Sequence, residues 1–186
     1  MLSVFAPHVC EEVWETIGGK GFVSVSQLPE PDPGSIDSEA LDAEAILVDL
    51  MDDLREVLNL VGDTPGDIHL YTAAEWKWHL ARSVRDSIDD GVVRFQDVMS
   101  KVMSDPEVRE RGKAVPSAVK RLLQERAPYG IGMEAEREKL ADEAEFLSQE
   151  FGRKVHVRAE GEAEDPMGKA KNALPYKPAI FIGDMS

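Results

Sequence analysis

The sequence holds one cysteine, Cys10, in 186 residues. An internal disulfide is therefore excluded, as is any metal site built from paired thiolates. Long apolar runs are also missing. Stretches such as residues 45–50 are interrupted by Asp49, Asp52 and Asp53, well short of the ~20 residues needed to cross a bilayer. No basic, apolar, small-residue leader opens the chain, so a reducing, cytoplasmic setting is expected. Positive charge is scarce: 21 Lys and Arg stand against 36 Asp and Glu, a formal net charge of −15 with a pI near 4.6. A global positive field is thus excluded, neither a membrane nor DNA is an expected partner, and any phosphate contact must be local. There is no G-x-S-x-G elbow, no G-x-x-x-x-G-K phosphate loop and no H-E-x-x-H pair; catalysis within this chain is not expected.

What is present suffices for a core: 42% of residues are hydrophobic, and the length suits one domain or one domain with a piece of another. The charge is unevenly spread. Residues 1–66 carry two basic residues, Lys20 and Arg55, against fourteen acidic ones, a net −12, whereas residues 67–186 carry nineteen against twenty-two, a net −3. The turn-forming stretch Gly-Asp-Thr-Pro-Gly-Asp at residues 62–67 marks the change and suggests a junction, giving an expected division into residues 1–62 and 63–186.

In the first part, Pro7 followed by Val9, Val13 and Ile17 predicts a short helix over residues 6–17. Pro29, Pro31, Pro33 and Gly34 make residues 21–34 a loop. Ser38 is positioned to cap a second helix, whose stripe of Leu47, Leu50, Met51, Leu54, Val57, Leu58 and Val61 asks for bundle partners. In the second part, Ile68-His69-Leu70-Tyr71 predicts a strand, and Thr72 with Glu75 forms a capping-box pattern ahead of a helix striped by Trp76, Leu80, Val84 and Ile88. Further helices follow around residues 95–103, from Pro106, from Pro116, and as one unit over 134–151. Val155-His156-Val157-Arg158 and Ala179-Ile180-Phe181-Ile182 complete a set of about three strands. The expected fold class is mixed α/β, of α+β character: a partial helical bundle, then a small sheet covered by helices.

Few residues carry chemistry. His8 and Cys10 are close, but nothing completes a metal site. Asp49, Asp52, Asp53 and Glu56 read as a solvated acidic helix face rather than a cation site. The informative run is residues 111–126, where Arg111, Lys113, Lys120, Arg121 and Arg126 face only Glu125, a local +4 and the best candidate for phosphate contact. Trp78, Arg82 and Arg85 share one helix face, a spacing at which an exposed aromatic and arginines can stack an unpaired base. The plain alternative for both groups is a solvated face opposite an apolar stripe. Lys169, Lys171 and Lys177 form a second, looser basic cluster.

The run Leu2-Ser3-Val4-Phe5-Ala6-Pro7-His8-Val9-Cys10-Glu11-Glu12-Val13-Trp14 resembles the anticodon-binding helical bundle of the class I synthetases for leucine, isoleucine and valine. Gly21-Phe22-Val23-Ser24, Ile68-His69-Leu70-Tyr71 with Glu75-Trp76-Lys77, and Lys177-Pro178-Ala179-Ile180-Phe181-Ile182 are similar to the leucyl-tRNA synthetases of archaeal and eukaryotic type. The resemblance covers nearly the whole chain. It implies the end of the anticodon-binding bundle followed by a C-terminal α/β domain, without the family's ATP-dependent Rossmann core or editing domain. Met99-Ser100-Lys101-Val102-Met103-Ser104 matches that core's second signature only superficially. The resemblance further implies contact with the body and long variable arm of leucine tRNA, mapping the family's terminal contact onto Lys177, Ile180, Phe181 and Ile182. ATP and Mg would be needed by the parent enzyme, and no cofactor by this segment. Other synthetases or an elongation factor are the protein partners of a rival reading, in which the chain is a docking module.

Overall fold

The computed structural model describes residues 2–27, 30–62, 64–92, 94–125, 130–162, 165 and 167–184. Two compact units are present, Met1–Asp37 and Ser38–Ser186. The first contains α1 (Pro7–Thr16) with 3-10 turns at Leu2–Val4 and Val23–Val25. Its ties are polar and local: the Glu11 carboxylate accepts from the backbone N–H groups of Val23 and Ser24 at 2.8 and 3.3 Å. None of its described residues is buried, and Leu2, Val9, Val13, Ile17 and Phe22 lie exposed.

The second unit contains α2 (Ser38–Val61), β1 (Asp67–Thr72), α3 (Glu75–Asp89), α4 (Phe95–Val102), α5 (Pro106–Glu110), α6 (Val115–Glu125), α7 (Met133–Asp142), α8 (Ala144–Phe151), β2 (Val155–Ala159) and β3 (Ala179–Gly183). The strand order is β2-β1-β3, with β2 parallel and β3 antiparallel to β1. The parallel pair needs a long crossover, which α3–α8 supply. A mixed, helix-rich α+β fold results, as the strand and helix patterns predict.

Strand alternation decides what covers each face. Ile68, Leu70, Val155 and Ile182 pack with Leu47, Leu50 and Leu54 of α2, Leu140 of α7 and Leu147 of α8. The helix that by its stripe wanted bundle partners therefore finds them in the sheet, within the compact unit that begins at Ser38. On the opposite face, Tyr71 and Ala179 pack with Trp78, Ala170 and Ala173. Beyond them α3, α4, α5 and α6 enclose Leu80, Val84, Val98, Val102, Val108 and Val119.

Three local expectations are corrected. Thr72 and Glu75 form no capping box: Thr72 is the last residue of β1 and its hydroxyl bonds the Arg158 carbonyl across the sheet at 3.4 Å. The helix starts at Glu75 with Ala74 in the cap position. Ser38 is the first residue of α2 rather than its cap. The single helix over 134–151 is two, separated at Glu143, whose φ and ψ of −87° and 0° close α7; a continuous apolar stripe does not register such a turn. Gly66 is required by close approach. At φ +121°, a Cβ there would lie 2.4 Å from the backbone of Gly183, where β1 begins beside the end of β3.

A buried carboxyl fixes the turn that feeds β3. Glu136 of α7 is 1% exposed, and its Oε2 accepts from the N–H of Tyr176, which sits at φ +65°. Burial raises the Glu136 carboxyl to about 7, against the lowering effect of that N–H. The fold therefore favours the neutral form: this stability is complete below the ordinary value of 4.5 and is lost as pH rises through about 7. Urea melts should show stability falling by about 3 kcal/mol towards pH ~8 on this account, and Glu136→Gln should flatten the fall. An unchanged slope in the variant would contradict the assignment.

Candidate nucleic-acid interface

The basic residues of the chain are sorted by a buried one. Lys77, 3% exposed in α3, donates from Nζ to the carbonyls of Lys171 and Ala173 at 2.8 and 2.7 Å and pairs with Glu160 at 2.7 Å. Three acceptors satisfy the three protons of an ammonium, which is what makes its burial tolerable. Burial pulls its pKa below the ordinary lysine value and Glu160 opposes that pull. Glu160 also accepts from the Ala74 N–H at 3.2 Å. Lys77 thereby fixes the start of α3, the chain just past β2, and the 3-10 turn Ala170–Asn172 in one place.

That turn meets α6. Arg121 donates from its guanidinium to the Asn172 carbonyl at 2.7 Å, while Val115, Ala118 and Val119 hold the other side of the helix in the core. Lys113 and Lys120 are exposed nearby in sequence, along with Arg111. Arg126 lies outside the described residues. Lys177 is engaged with acidic partners, Glu125 at 3.2 Å and Asp53 at 3.7 Å. Burial disfavours its charge, but these carboxylates outweigh that and raise its pKa.

The group on α3 is arranged differently from its sequence reading. Arg82 is exposed, but Trp78 is 9% exposed, with its ring edge-on to Tyr176 at a centroid distance of 5.0 Å. Arg85 covers the same tyrosine at 5.7 Å and approaches its hydroxyl at 3.3 Å. Trp78 is thus a core residue, because the loop before β3 folds onto the helix face that the spacing leaves open. In β3, Ile182 is buried in the sheet core, Ile180 is half-buried against it, and Phe181 stacks on His69 at 5.7 Å. His69 stacks in turn on His156 at 5.0 Å, giving a row of rings across the three strands. The aromatic ring among the basic residues is Trp76, half-buried, which lines one groove with Arg121 and Lys171. Sequence reasoning treats it as part of an apolar stripe, and only the returning turn reveals its setting. No three His, Cys, Asp or Glu residues among those described are placed to hold a metal ion, and no described helix is long and apolar enough to cross a membrane.

Comparison with known proteins bears on this geometry. Residues 1–72 match the anticodon-binding domain of tRNA ligase. The chain is 34% identical over 183 residues to a leucine–tRNA ligase of Pyrococcus abyssi, 35% over 184 residues to that of Pyrococcus horikoshii and 32% over 182 residues to that of Methanocaldococcus jannaschii. Along nearly its whole length the chain is similar to one segment of the leucine–tRNA ligases. Each similarity covers 98% of the chain and 18% of the relative, so the chain spans about a fifth of the length of the ligases it resembles. The match through residue 72 includes α1, α2 and β1. The anticodon-domain similarity therefore continues into the strand at the centre of the sheet.

The Lys77 arrangement has a measurable energy. Lys77→Met leaves two carbonyls without their donor and the Glu160 carboxylate without its counter-charge, with only the Ala74 N–H to bond it, and should cost about 3 kcal/mol. The double variant Lys77→Met/Glu160→Gln should cost less than the sum of the two single changes by about 1–2 kcal/mol, read from denaturant melts. Additive losses would show that the pair is not coupled.

Proposed function

We propose that this chain is the tRNA-recognition segment of a leucine–tRNA ligase. The carrying observation is that a match to the anticodon-binding domain of tRNA ligase lies within a similarity to leucine–tRNA ligases running along 98% of the chain. The parent would join leucine to its tRNA in the cytoplasm at the expense of ATP, with Mg, in a catalytic core outside these residues. This segment would act by positioning: it holds the tRNA body and the long variable arm so that the acceptor end reaches that core. Such contacts raise specificity without touching the reacting atoms. Lys113, Lys120, Arg121 and Arg126 are assigned to phosphates, and Arg82 and Arg85 to an unpaired base. Lys177, Ile180 and Phe181 are assigned to the arm. The burial of Trp78 and Ile182 supports a framework role for these two rather than contact.

A second reading has its own observation. Residues 2–25 expose Leu2, Val9, Val13, Ile17 and Phe22, and the first four of these, with Cys10, Trp14 and Val23, frame an apolar groove of about 270 Å³. Such a surface suits a protein partner, another synthetase or an elongation factor. The two readings separate in one titration. Leucine tRNA should bind more tightly than the same tRNA with its variable arm shortened, by roughly tenfold or more, and both affinities should fall steeply with salt. Equal binding of the two RNAs would remove the arm from the account, and no binding at all would favour the docking module.

A further inference from the structure

The sequence separates two basic groups, one in α6 and one ahead of β3, and the fold joins them. Arg121 sits on the carbonyl of Asn172. Those two residues are shared by two adjacent grooves. One, of about 260 Å³, adds Trp76, Ser117 and Lys171; the other, of about 300 Å³, adds Lys169 and Lys177. The Nζ groups of Lys169 and Lys171 make no hydrogen bond or ion pair among the described residues, and Arg121 has its single bond to Asn172. The cations nearby are already engaged: Lys77 by three acceptors and Lys177 by two carboxylates. Three positive groups on one rim thus have no acidic partner among the described residues, in a chain of net charge −15.

The wall that α2 gives the second groove is acidic, with Glu56 and with Asp53, the latter paired with Lys177. A strand of polyanion is attracted to the rim and repelled from the wall, which restricts it to one side and one course. Two features favour a nucleic-acid backbone over an acidic peptide. The guanidinium fork of Arg121 matches phosphate geometry. The half-buried Trp76 ring beside Lys171 offers a base a stacking surface that carboxylates do not use.

We propose that Arg121, Lys169 and Lys171, with Trp76 beside them, form a phosphate-binding rim that takes one stretch of tRNA backbone. Lys77 is its positioning residue, because its bonds to the Lys171 and Ala173 carbonyls set where the lysine-bearing turn stands. The inference rests on the tRNA-recognition reading and gives that reading a location.

The test compares leucine-tRNA binding by the wild-type chain, by Arg121→Ala/Lys169→Ala/Lys171→Ala, and by a control with Arg109→Ala/Lys154→Ala, two exposed cations elsewhere. Affinities are measured over a range of salt, with circular dichroism melts to establish folding. The rim variant should bind roughly tenfold to a hundredfold more weakly, with a salt slope smaller by about two to three, and the control should change little. Lys169→Arg/Lys171→Arg should retain binding. Equal losses in rim variant and control would overturn the rim and leave the recognition reading standing. Absence of tRNA binding by the folded wild-type chain would overturn both. Displacement of the tRNA by polyglutamate as effective as by RNA would overturn the assignment to a nucleic-acid backbone.

Discussion

The ammonium of Lys77 is the interaction on which the second unit's surface depends. It is a charge taken out of water, and a buried charge is tolerable only when its hydrogen-bonding capacity is used. Its three acceptors come from the chain past β2 and from the turn ahead of β3, the two ends of the connection between those strands. The alanines of that turn pack beneath Tyr71 and Trp78, so the polar tie and the apolar contact act on the same few residues. One lysine is thus spent inside so that Lys169 and Lys171 stand outside in a defined place.

Electrostatics divides the same unit. The α2 face carries Asp49, Asp52 and Asp53, and the α6 side carries Lys113, Lys120 and Arg121. Lys177 stands at the border, held by carboxylates from α2 and α6. An acidic protein related to tRNA ligases is then no contradiction. Phosphate contact needs a local field of the right sign, and surrounding negative charge limits where the RNA can lie.

The main elements were legible in the sequence because they depend on period and punctuation. Alternation gives β1–β3, the 3.6-residue stripes give α2, α3 and α6, and Pro106 with Asp105 before it gives α5. Three features were not legible, each for a physical reason. The partners of α2 are a sheet that forms later in the chain, and a stripe states only that something apolar must cover it. Trp78 is buried rather than exposed because the loop before β3 returns over one side of α3, a contact distant in sequence, whereas Trp76 keeps its place in the apolar stripe and also edges a groove. The joining of Arg121 to the Lys169 and Lys171 cluster depends on a buried lysine, and charge on an amphipathic helix normally signals exposure. The family resemblance carried by residues 2–14 and by the terminal strand supplied what periodicity could not, namely the kind of molecule that these faces are proposed to meet.

The central claim is that tRNA lies along the α6 side of the second unit. It is tested most directly by mapping backbone amide chemical shifts of the isotope-labelled chain as leucine tRNA is added. The account predicts the largest changes at residues 112–121 and 168–173, with the exposed apolar residues of 2–25 little affected. Changes confined to residues 2–25, or to the acidic face of α2, would contradict it.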